Sequence, residues 1–232
     1  TNPATQTTVQ PIEAKLKADG YDIAYRAGFN EGLTSAAPLA TAIKASGAQV
    51  LVDGAAAPSD ALVINRALDQ QGVKIPILLP GGGLATSSAY LNTLGQLANG
   101  SFTVMQWNYS LKLGDAQNKL LQQAEQQFVA ANKSEPFMDE FAGEAYVCTW
   151  LFADAMEQAK SADPATIVKT LHSAEFSTGP ASLFPPGSVK FNDQGLNEKA
   201  VNVVGEWCHN KLRTVYPPKY ATMPITPADQ CQ

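Results

Sequence analysis

The sequence has few of the residues that build catalytic and metal sites. It contains two histidines and three cysteines in 232 residues, with no Cys-x-x-Cys pair and no segment where cysteine and histidine cluster. It also lacks the Gly-x-Ser-x-Gly segment that carries the nucleophile of many hydrolases, and no pair of carboxylates stands out. These absences argue against a zinc site and against a nucleophilic enzyme, and we expect no metal and no cofactor.

Charge and long apolar runs are also scarce. Charged residues make up 16% of the chain and the net charge is −5, so no basic stripe is available to displace counterions from nucleic acid or to dock on a membrane surface. No run of 18 apolar residues could span a bilayer. The first ten residues, TNPATQTTVQ, lack the apolar core of a signal peptide, and we expect any export signal to have been removed or to be absent.

The chain does have a hydrophobic fraction of 45%, enough for a sizeable core, and a regular strand, helix, strand unit between Gln49 and Leu91. Two apolar runs, VLV and IPILL, end in the glycine-bearing turns DG and PGGG, and apolar residues recur at helical spacing between them. Parallel strands joined by a helix cross over with one hand, so both strand ends open on the same sheet edge. Ligands of open α/β sheets bind at that edge, and we expect the loops 54–59 and 80–88 to carry the function.

Strands and helices alternate along the first half of the chain. YDIAY (21–25) and SFTVMQW (101–107) are predicted strands, and helices are predicted over residues 5–18, 36–46 and 87–97. This alternation predicts an α/β fold with a parallel sheet and helices on both faces. The first predicted helix leads into YDIAY without a strand before it.

After Tyr109 the pattern changes to three successive helices, predicted over residues 115–132, 139–160 and 163–171. No strand separates them, so they must pack on something other than a sheet of their own. Further on, AVNVVGEW and KLRTVY flank a short turn and predict a β-hairpin, which a proline-rich tail follows.

The three cysteines have different settings. Cys148 lies in an apolar helical stretch, AYVCTWLF, and we predict that it is buried. Cys208 and Cys231 lie in the loop-rich C-terminal region, where they are either joined by a disulfide or remain two unrelated thiols. A bridge would imply an oxidising compartment.

In their order along the chain, six segments resemble the type I periplasmic substrate-binding proteins of the branched-chain amino acid transporter group: YDIAY, PLATAIKASGAQVLVDG, GAAAPSDALVINRALDQQGVKIPILLPGGG, DEFAGEAYVCTWLFADAMEQA, GPASLF and VKFNDQGLNEKA. The resemblance covers nearly the whole chain. It implies two α/β lobes, joined by three crossing strands, that close like a hinge on a small molecule in the periplasm or outside the cell. Such a protein captures a solute, amino acid-like or an aromatic or acidic compound, for an ABC importer without chemistry.

The resemblance also implies that part of the fold lies outside this sequence. Residues 1–110 correspond to the second lobe without its first strand, residues 111–180 to helices of the first lobe, and residues 181–232 to a hairpin and tail that return to the second lobe. The sheet of the first lobe has no counterpart here. We therefore expect a second polypeptide to contribute it, and membrane subunits of a transporter to be further partners.

Several positions of the family's ligand site carry over to this chain. They fall on Thr5, which could equally cap a helix; on Ala56, whose loop could equally be a tight turn; on Gly81; and on Phe141, which could equally pack in the core. Gly81 stands where amino-acid binders carry an acidic residue for the ligand's ammonium group, and a buried ammonium without a counter-charge is costly. The resemblance therefore favours a larger or non-amino-acid ligand.

Further ligand-binding candidates lie near the predicted sheet edge. Gly81 and Gly82 could present backbone amides to an anion, or could form a flexible turn. Asn108 and Tyr109 follow the last predicted strand together with Trp107, and side chains with a polar tip suit the rim of a cleft.

Glu140 and Glu144 are predicted to be solvated, although one that turned toward the cleft could pair with a cation. Two other functions stay open. The chain could be the ligand-sensing domain of a receptor or regulator, which the sequence does not separate from transport. It could also be an α/β enzyme that uses the Gly81–Gly83 loop.

Overall fold

A computed structural model describes residues 3–55, 57–80, 85–227 and 230–231, with the backbone alone for residues 3–6 and 8. The chain divides into two compact units. Unit 1 comprises Thr1–Val104, Val204–Arg213 and Ile225–Gln232, and unit 2 comprises Met105–Val203 and Thr214–Pro224.

Unit 1 alternates helices and strands as the sequence predicts. Its elements are α1 (Pro3–Ala18), α2 (Ala37–Ser46), β1 (Leu51–Val52), α3 (Pro58–Gln70), β2 (Ile77–Leu79), α4 (Ser88–Leu94), a 3₁₀ turn (Gly95–Ala98) and β3 (Ser101–Met105), whose last residue belongs to unit 2. Helix α3 shows why the chain folds this way. Pro58 occupies its first turn, where a missing N–H costs nothing, and Ala61, Ile64 and Leu68 recur on one face and are buried.

The main sheet has five strands in the order β1-β2-β3-β6-β7, where β6 is Val203–Cys208 and β7 is Lys211–Tyr216. The pairs β1–β2 and β2–β3 are parallel, with Leu51 opposite Ile77 and Ile77 opposite Ser101. The predicted crossover unit and the α/β class with a mostly parallel sheet are therefore confirmed.

The predicted hairpin is formed by β6 and β7 and turns at His209 and Asn210. Both residues have positive φ values, 52° and 58°, as a two-residue hairpin turn requires. Next to this turn, a disulfide joins Cys208 to Cys231, which confirms the first of the two possibilities for these cysteines.

Unit 2 contains the three predicted helices: α5 (Asp115–Ala131), α6 (Glu140–Ala159) and α7 (Pro164–Ser173). The side chains of Asp139 and Asp163 accept hydrogen bonds from Ala142 N and Thr166 N and so cap the starts of α6 and α7. A 3₁₀ turn (Gly179–Leu183) and the antiparallel pair β4 (Glu175–Phe176) and β5 (Val189–Lys190) complete the unit.

The prediction of a strand at YDIAY is wrong. Residues 21–25 have no regular secondary structure, and the side chains of Tyr21 and Tyr25 are exposed. A strand needs a hydrogen-bonded neighbour. The sheet ends at β1, and within the described part of the chain no strand pairs with this segment.

The prediction that Cys148 is buried is also wrong, because its side chain is exposed on α6. One face of α6 is buried through Gly143, Val147 and Leu151. The opposite face is apolar as well but exposed; we call it the outer stripe, and it consists of Phe141, Cys148, Phe152 and Met156. A helix that is apolar on both faces gives no sequence signal for which side is covered.

Among the described residues, no helix combines the length and hydropathy needed to cross a lipid bilayer. The same residues contain no group of three or more histidine, cysteine, aspartate or glutamate side chains placed to hold a metal ion.

Candidate ligand-binding site

In unit 1 the carboxyl ends of β1 and β2 lie on the same edge of the sheet. The ladder extends one residue past β1, because Asp53 N donates to Leu78 O at 2.9 Å. Gly54 and Pro80 then lead the chain away from this edge. The edge is therefore the place where a ligand of unit 1 is expected.

Asp53 is the buried charged group at this edge, with 4% of its surface exposed. Its Oδ1 accepts a hydrogen bond from Ala55 N at 2.9 Å, which fixes the turn after β1. Its Oδ2 has no hydrogen-bond partner among the residues that the structure describes. Burial, aided by the nearby Asp60 carboxylate, raises the pKa of Asp53 to about 6. The hydrogen bond from the Ala55 N–H acts in the opposite direction but is outweighed.

A second unpartnered oxygen lies on the same face of the sheet. The ladder places Asp53, Leu79 and Thr103 side by side on three neighbouring strands, and side chains in register point to one face. Thr103 is fully buried, and no described residue forms a hydrogen bond with its Oγ1. This face of the sheet therefore carries two buried polar groups, a carboxylate oxygen and a hydroxyl, that are not satisfied within the described part of the chain.

The segment after the edge closes over the same face. Tyr90 on α4 is fully buried and donates its hydroxyl proton to Ser101 Oγ at 3.1 Å. Trp207 on β6 donates Nε1–H to Ala85 O at 2.7 Å. These contacts fix α4 against the sheet, so the polar groups beneath it are held in place.

Four of the predicted ligand contacts fall in unit 1. Thr5 lies in α1, and its side chain is outside the described residues; Ala56, Gly81 and Gly82 are outside them entirely. Their roles therefore stay predictions. Asp53, which the sequence marked only as the end of a strand, was missed; a carboxylate directly after a buried strand of an α/β sheet was the available signal.

In unit 2, Glu140 anchors the chain just after β3. Its Oε1 accepts a hydrogen bond from Gln106 N at 2.6 Å, and the backbone N–H of Trp107 also donates to this carboxylate. Burial is the main reason that the pKa of Glu140 is raised to about 7, and the negative charges of Glu144 and Asp139 act in the same direction. The hydrogen bonds from the two N–H groups lower the pKa but do not offset these effects. Glu140 is 6% exposed, so the prediction of a solvated side chain is wrong for this residue.

Trp107 and Asn108 are buried rather than exposed at a rim, and each has an unpartnered donor. The Trp107 ring lies so close to Gly143 that a Cβ on that glycine would be 2.3 Å from Cε3. Within the described part of the chain, Trp107 Nε1 and Asn108 Nδ2 have no hydrogen-bond partner, whereas Asn108 Oδ1 accepts from Ser110 N. Both donors lack the acceptors that buried N–H groups normally find.

The two remaining predicted aromatics have different surroundings. Tyr109 stacks on Phe137, with ring centroids 5.1 Å apart. Phe141 is 60% exposed, so the alternative that it packs in the core is wrong. Asn108 and Tyr109 directly follow Trp107, whose backbone N–H bonds to Glu140, and Phe141 begins the outer stripe on α6.

A separate cavity of about 270 Å³ in unit 2 lies beside the start of α5 and includes Lys112, Lys219 and Tyr220 in its lining. None of the predicted ligand contacts lines it.

Comparison with known proteins identifies the family. Residues 1–204 match the family model described as periplasmic binding protein. No curated protein matches the sequence significantly. The match to the family model covers well over half of the chain and includes all of α1 to α7.

Solved structures agree in fold at low sequence identity. A putative branched-chain amino acid ABC transporter protein from Silicibacter pomeroyi has a TM-score of 0.70 at 14% identity, over 94% of this chain and 57% of that one. The leucine-binding protein LivK of Thermotoga maritima has a TM-score of 0.67 at 15% identity, over 89% of this chain and 54% of that one. The substrate-binding protein LivJ of Streptococcus pneumoniae, solved with isoleucine, has a TM-score of 0.67 at 18% identity, over 88% of this chain and 56% of that one.

The chain thus spans a little over half the length of these structures. The family model, the parallel sheet with its crossover helices and these likenesses confirm the resemblance found in the sequence. This chain belongs to the periplasmic binding protein family and has the fold of its type I members.

Proposed function

We propose that this protein is the solute-binding component of an ABC importer, which captures a small organic molecule and releases it unchanged. The observation that carries the proposal is the family match over residues 1–204. Several of the structural relatives are described as amino acid-binding or transporter proteins, and none of those cited is described as an enzyme. The solute is amino acid-like or an aromatic or acidic compound.

The proposed contacts with the solute are those that the family resemblance and the sheet edge point to. In unit 1 they are Thr5, Ala56, Gly81 and Gly82, and in unit 2 they are Asn108, Tyr109 and Phe141. Support comes from the exposed ring of Phe141, because it offers an apolar surface.

We propose that a further α/β lobe, carried by a second polypeptide, completes the protein. The outer stripe of α6 supports this, since Phe141, Phe152 and Met156 are 60%, 55% and 40% exposed. Exposed apolar stripes of this length mark interaction surfaces. On this proposal residues 1–110 form most of one lobe, residues 111–180 complete the other, and residues 181–232 return to the first.

The proposed location is the periplasm or the outside of the cell. The disulfide between Cys208 and Cys231 supports it, because such bonds persist in oxidising compartments. Membrane subunits of the importer are the proposed partners of the closed, solute-bound form.

Tryptophan fluorescence titration tests the proposal on the complete protein, against aliphatic amino acids, amides and aromatic acids. We expect saturable binding of at least one compound, with NMR showing no change in that compound after prolonged incubation. Conversion into a product would contradict the proposal and favour an enzyme. If the protein binds the compound but does not restore its uptake in a strain that lacks only the gene for this protein, a sensory domain would be favoured instead.

A further inference from the structure

The cavity at the start of α5 is lined by two cations and by no anion. Its volume is about 270 Å³, its lining includes Lys112 and Lys219, and all of its lining residues belong to unit 2. Among the described residues, no aspartate or glutamate lines it. The whole chain has 21 acidic and 16 basic residues. The cavity therefore concentrates positive charge in a protein whose net charge is negative.

Neither lysine is neutralised by a carboxylate, because every ion pair in the described part of the chain involves other residues. The ammonium nitrogen of Lys219 instead lies 5.1 Å from the ring centroid of Tyr220. This cation–π contact attracts the charge, and the ammonium N–H groups can still donate to an anion. Lys112 and Lys219 are both exposed, so the cavity is open to solutes.

Tyr220 joins the two segments that carry the lysines. Its carbonyl oxygen accepts a hydrogen bond from Lys112 N at 2.9 Å, and its ring contacts the Lys219 ammonium group. Tyr220 itself lines the cavity and is 5% exposed. Because one buried residue holds both segments, the two ammonium groups can approach the same bound anion.

The start of α5 adds N–H donors to the same cavity. Gly114 is the N-cap of α5, and it lines the cavity together with Gln117. A glycine N-cap has no side chain to accept the N–H groups of the first turn, which have no acceptor within the helix. Asp115 lies in this turn, but it is exposed and does not line the cavity. The positive end of the helix dipole thus acts together with the two lysines.

We propose that this cavity binds a small oxyanion of the phosphate class, either inorganic phosphate or the phosphate group of a small monoester. Two ammonium groups suit a doubly charged oxyanion, because each supplies one positive charge and several N–H donors. The volume is small for a drug-sized ligand and so favours a small anion. None of the proposed solute contacts lines the cavity, so the inference does not depend on the proposed function.

Isothermal titration calorimetry of the complete protein with inorganic phosphate and with glycerol 3-phosphate tests the inference. The buffer is free of phosphate, the ionic strength is held constant, and glycerol is the uncharged control. We expect a Kd of about 1 mM or lower for at least one of the two phosphates and no binding of glycerol. Tighter binding of inorganic phosphate would identify a site for the free ion, and tighter binding of glycerol 3-phosphate a site for a monoester.

Substitution of the lysines shows whether the bound phosphate lies in this cavity. The double variant Lys112→Gln, Lys219→Gln should bind phosphate at least about tenfold more weakly, because both counter-charges are lost. Lys119→Gln is the matched control, since Lys119 is exposed on α5 and does not line the cavity. It should change the affinity by less than about twofold. Thermal unfolding gives a second readout, because bound phosphate should stabilise the unmodified protein more than the double variant.

Three outcomes would overturn the inference: neither phosphate binds, the double variant binds phosphate as tightly as the unmodified protein, or Lys119→Gln weakens binding as much as the double variant does. The cavity would then be only a solvated hollow. The solute titration on the same preparation keeps these outcomes apart from failure of the proposed function, because it measures the binding of compounds without a phosphate group.

Discussion

Helix α3 in unit 1 and helix α6 in unit 2 handle their apolar residues differently. Helix α3 buries Ile64 and Leu68 and exposes Arg66 and Asp69 on its other side. Helix α6 buries one apolar face and leaves another, the outer stripe, exposed. A helix with a single apolar face is complete when that face is covered, whereas one with two needs neighbours on both sides. The comparison teaches that α3 has its apolar face covered within unit 1, whereas α6 has an apolar face that this chain leaves uncovered.

The buried polar atoms without a hydrogen-bond partner among the described residues also differ between the two units. In unit 1 they are oxygens, Asp53 Oδ2 and Thr103 Oγ1, and in unit 2 they are nitrogens, Trp107 Nε1 and Asn108 Nδ2. The Asp53 oxygen lacks a donor and the two nitrogens lack acceptors, whereas the Thr103 hydroxyl could be satisfied by either.

The largest expected effect separates the cysteines of the two units. In unit 1 the bridge between Cys208 and Cys231 closes a loop of 23 residues, and Cys231→Ser should lower the free energy of unfolding by about 3 kcal/mol. In unit 2 the exposed Cys148→Ser should change it by less than about 0.5 kcal/mol. Urea unfolding measures both, and equal effects would break the comparison.

A leucine on either face of α6 gives the next largest difference. Gly143→Leu forces a side chain into the space of the buried Trp107 ring and should cost about 2 to 3 kcal/mol. Ala145→Leu, which adds the same side chain to the exposed side, should cost less than about 0.5 kcal/mol. Should chemical unfolding give the same cost for both, α6 would not be buried on one face only.

Asp53→Asn should change how stability depends on pH. The pKa of the folded carboxyl is about 6 and the ordinary value is 3.8, so folding favours the protonated form. The stability that Asp53 contributes is present below pH 4 and is lost as the pH rises to 6. The variant, whose amide oxygen can still accept the Ala55 N–H, should therefore be more stable than the unmodified protein at pH 7.5 by about 3 kcal/mol, and this advantage should fall below about 1 kcal/mol at pH 4.

Thermal unfolding across pH 4 to 7.5 measures this difference. Asp69→Asn is the matched control, because its carboxylate is exposed and pairs with Lys74. A difference between Asp53→Asn and the unmodified protein that does not change with pH would contradict the assignment of a buried, unpaired carboxylate.

The smallest expected effect on stability belongs to the outer stripe. Phe152→Ser should alter the free energy of unfolding of this chain by less than about 0.5 kcal/mol, since the ring is 55% exposed. Phe137→Ser, at a buried ring that stacks on Tyr109, should cost about 3 kcal/mol or more. If Phe152→Ser costs as much as Phe137→Ser, the stripe is already covered within this chain.

Local patterns were enough to predict most elements of the fold. The runs VLV and IPILL are continuous, apolar and bounded by glycine, so β1 and β2 were predicted in place, and the caps Asp139 and Asp163 marked the starts of α6 and α7. YDIAY has an equally good strand pattern but does not form a strand, because pairing depends on a neighbour that local sequence does not reveal.

The site was less predictable because its features depend on tertiary contacts. That Glu140 binds the N–H groups after β3, and that Trp107 packs on Gly143, are contacts between residues more than 30 positions apart. Asp53 is conspicuous only once its second oxygen is seen to lack a partner. Cys148 was predicted to be buried because its helix is apolar on both faces, and sequence alone does not tell which face is covered.

The rate at which Cys148 reacts with N-ethylmaleimide tests most directly whether a further lobe covers α6. Cys148 is exposed in the outer stripe, and the other two cysteines are bridged, so the native chain carries its own probe. We expect alkylation of this chain alone to be at least tenfold faster than alkylation of the complete protein that includes the further lobe. Equal rates would show that the outer stripe stays open in the complete protein, and would contradict the account.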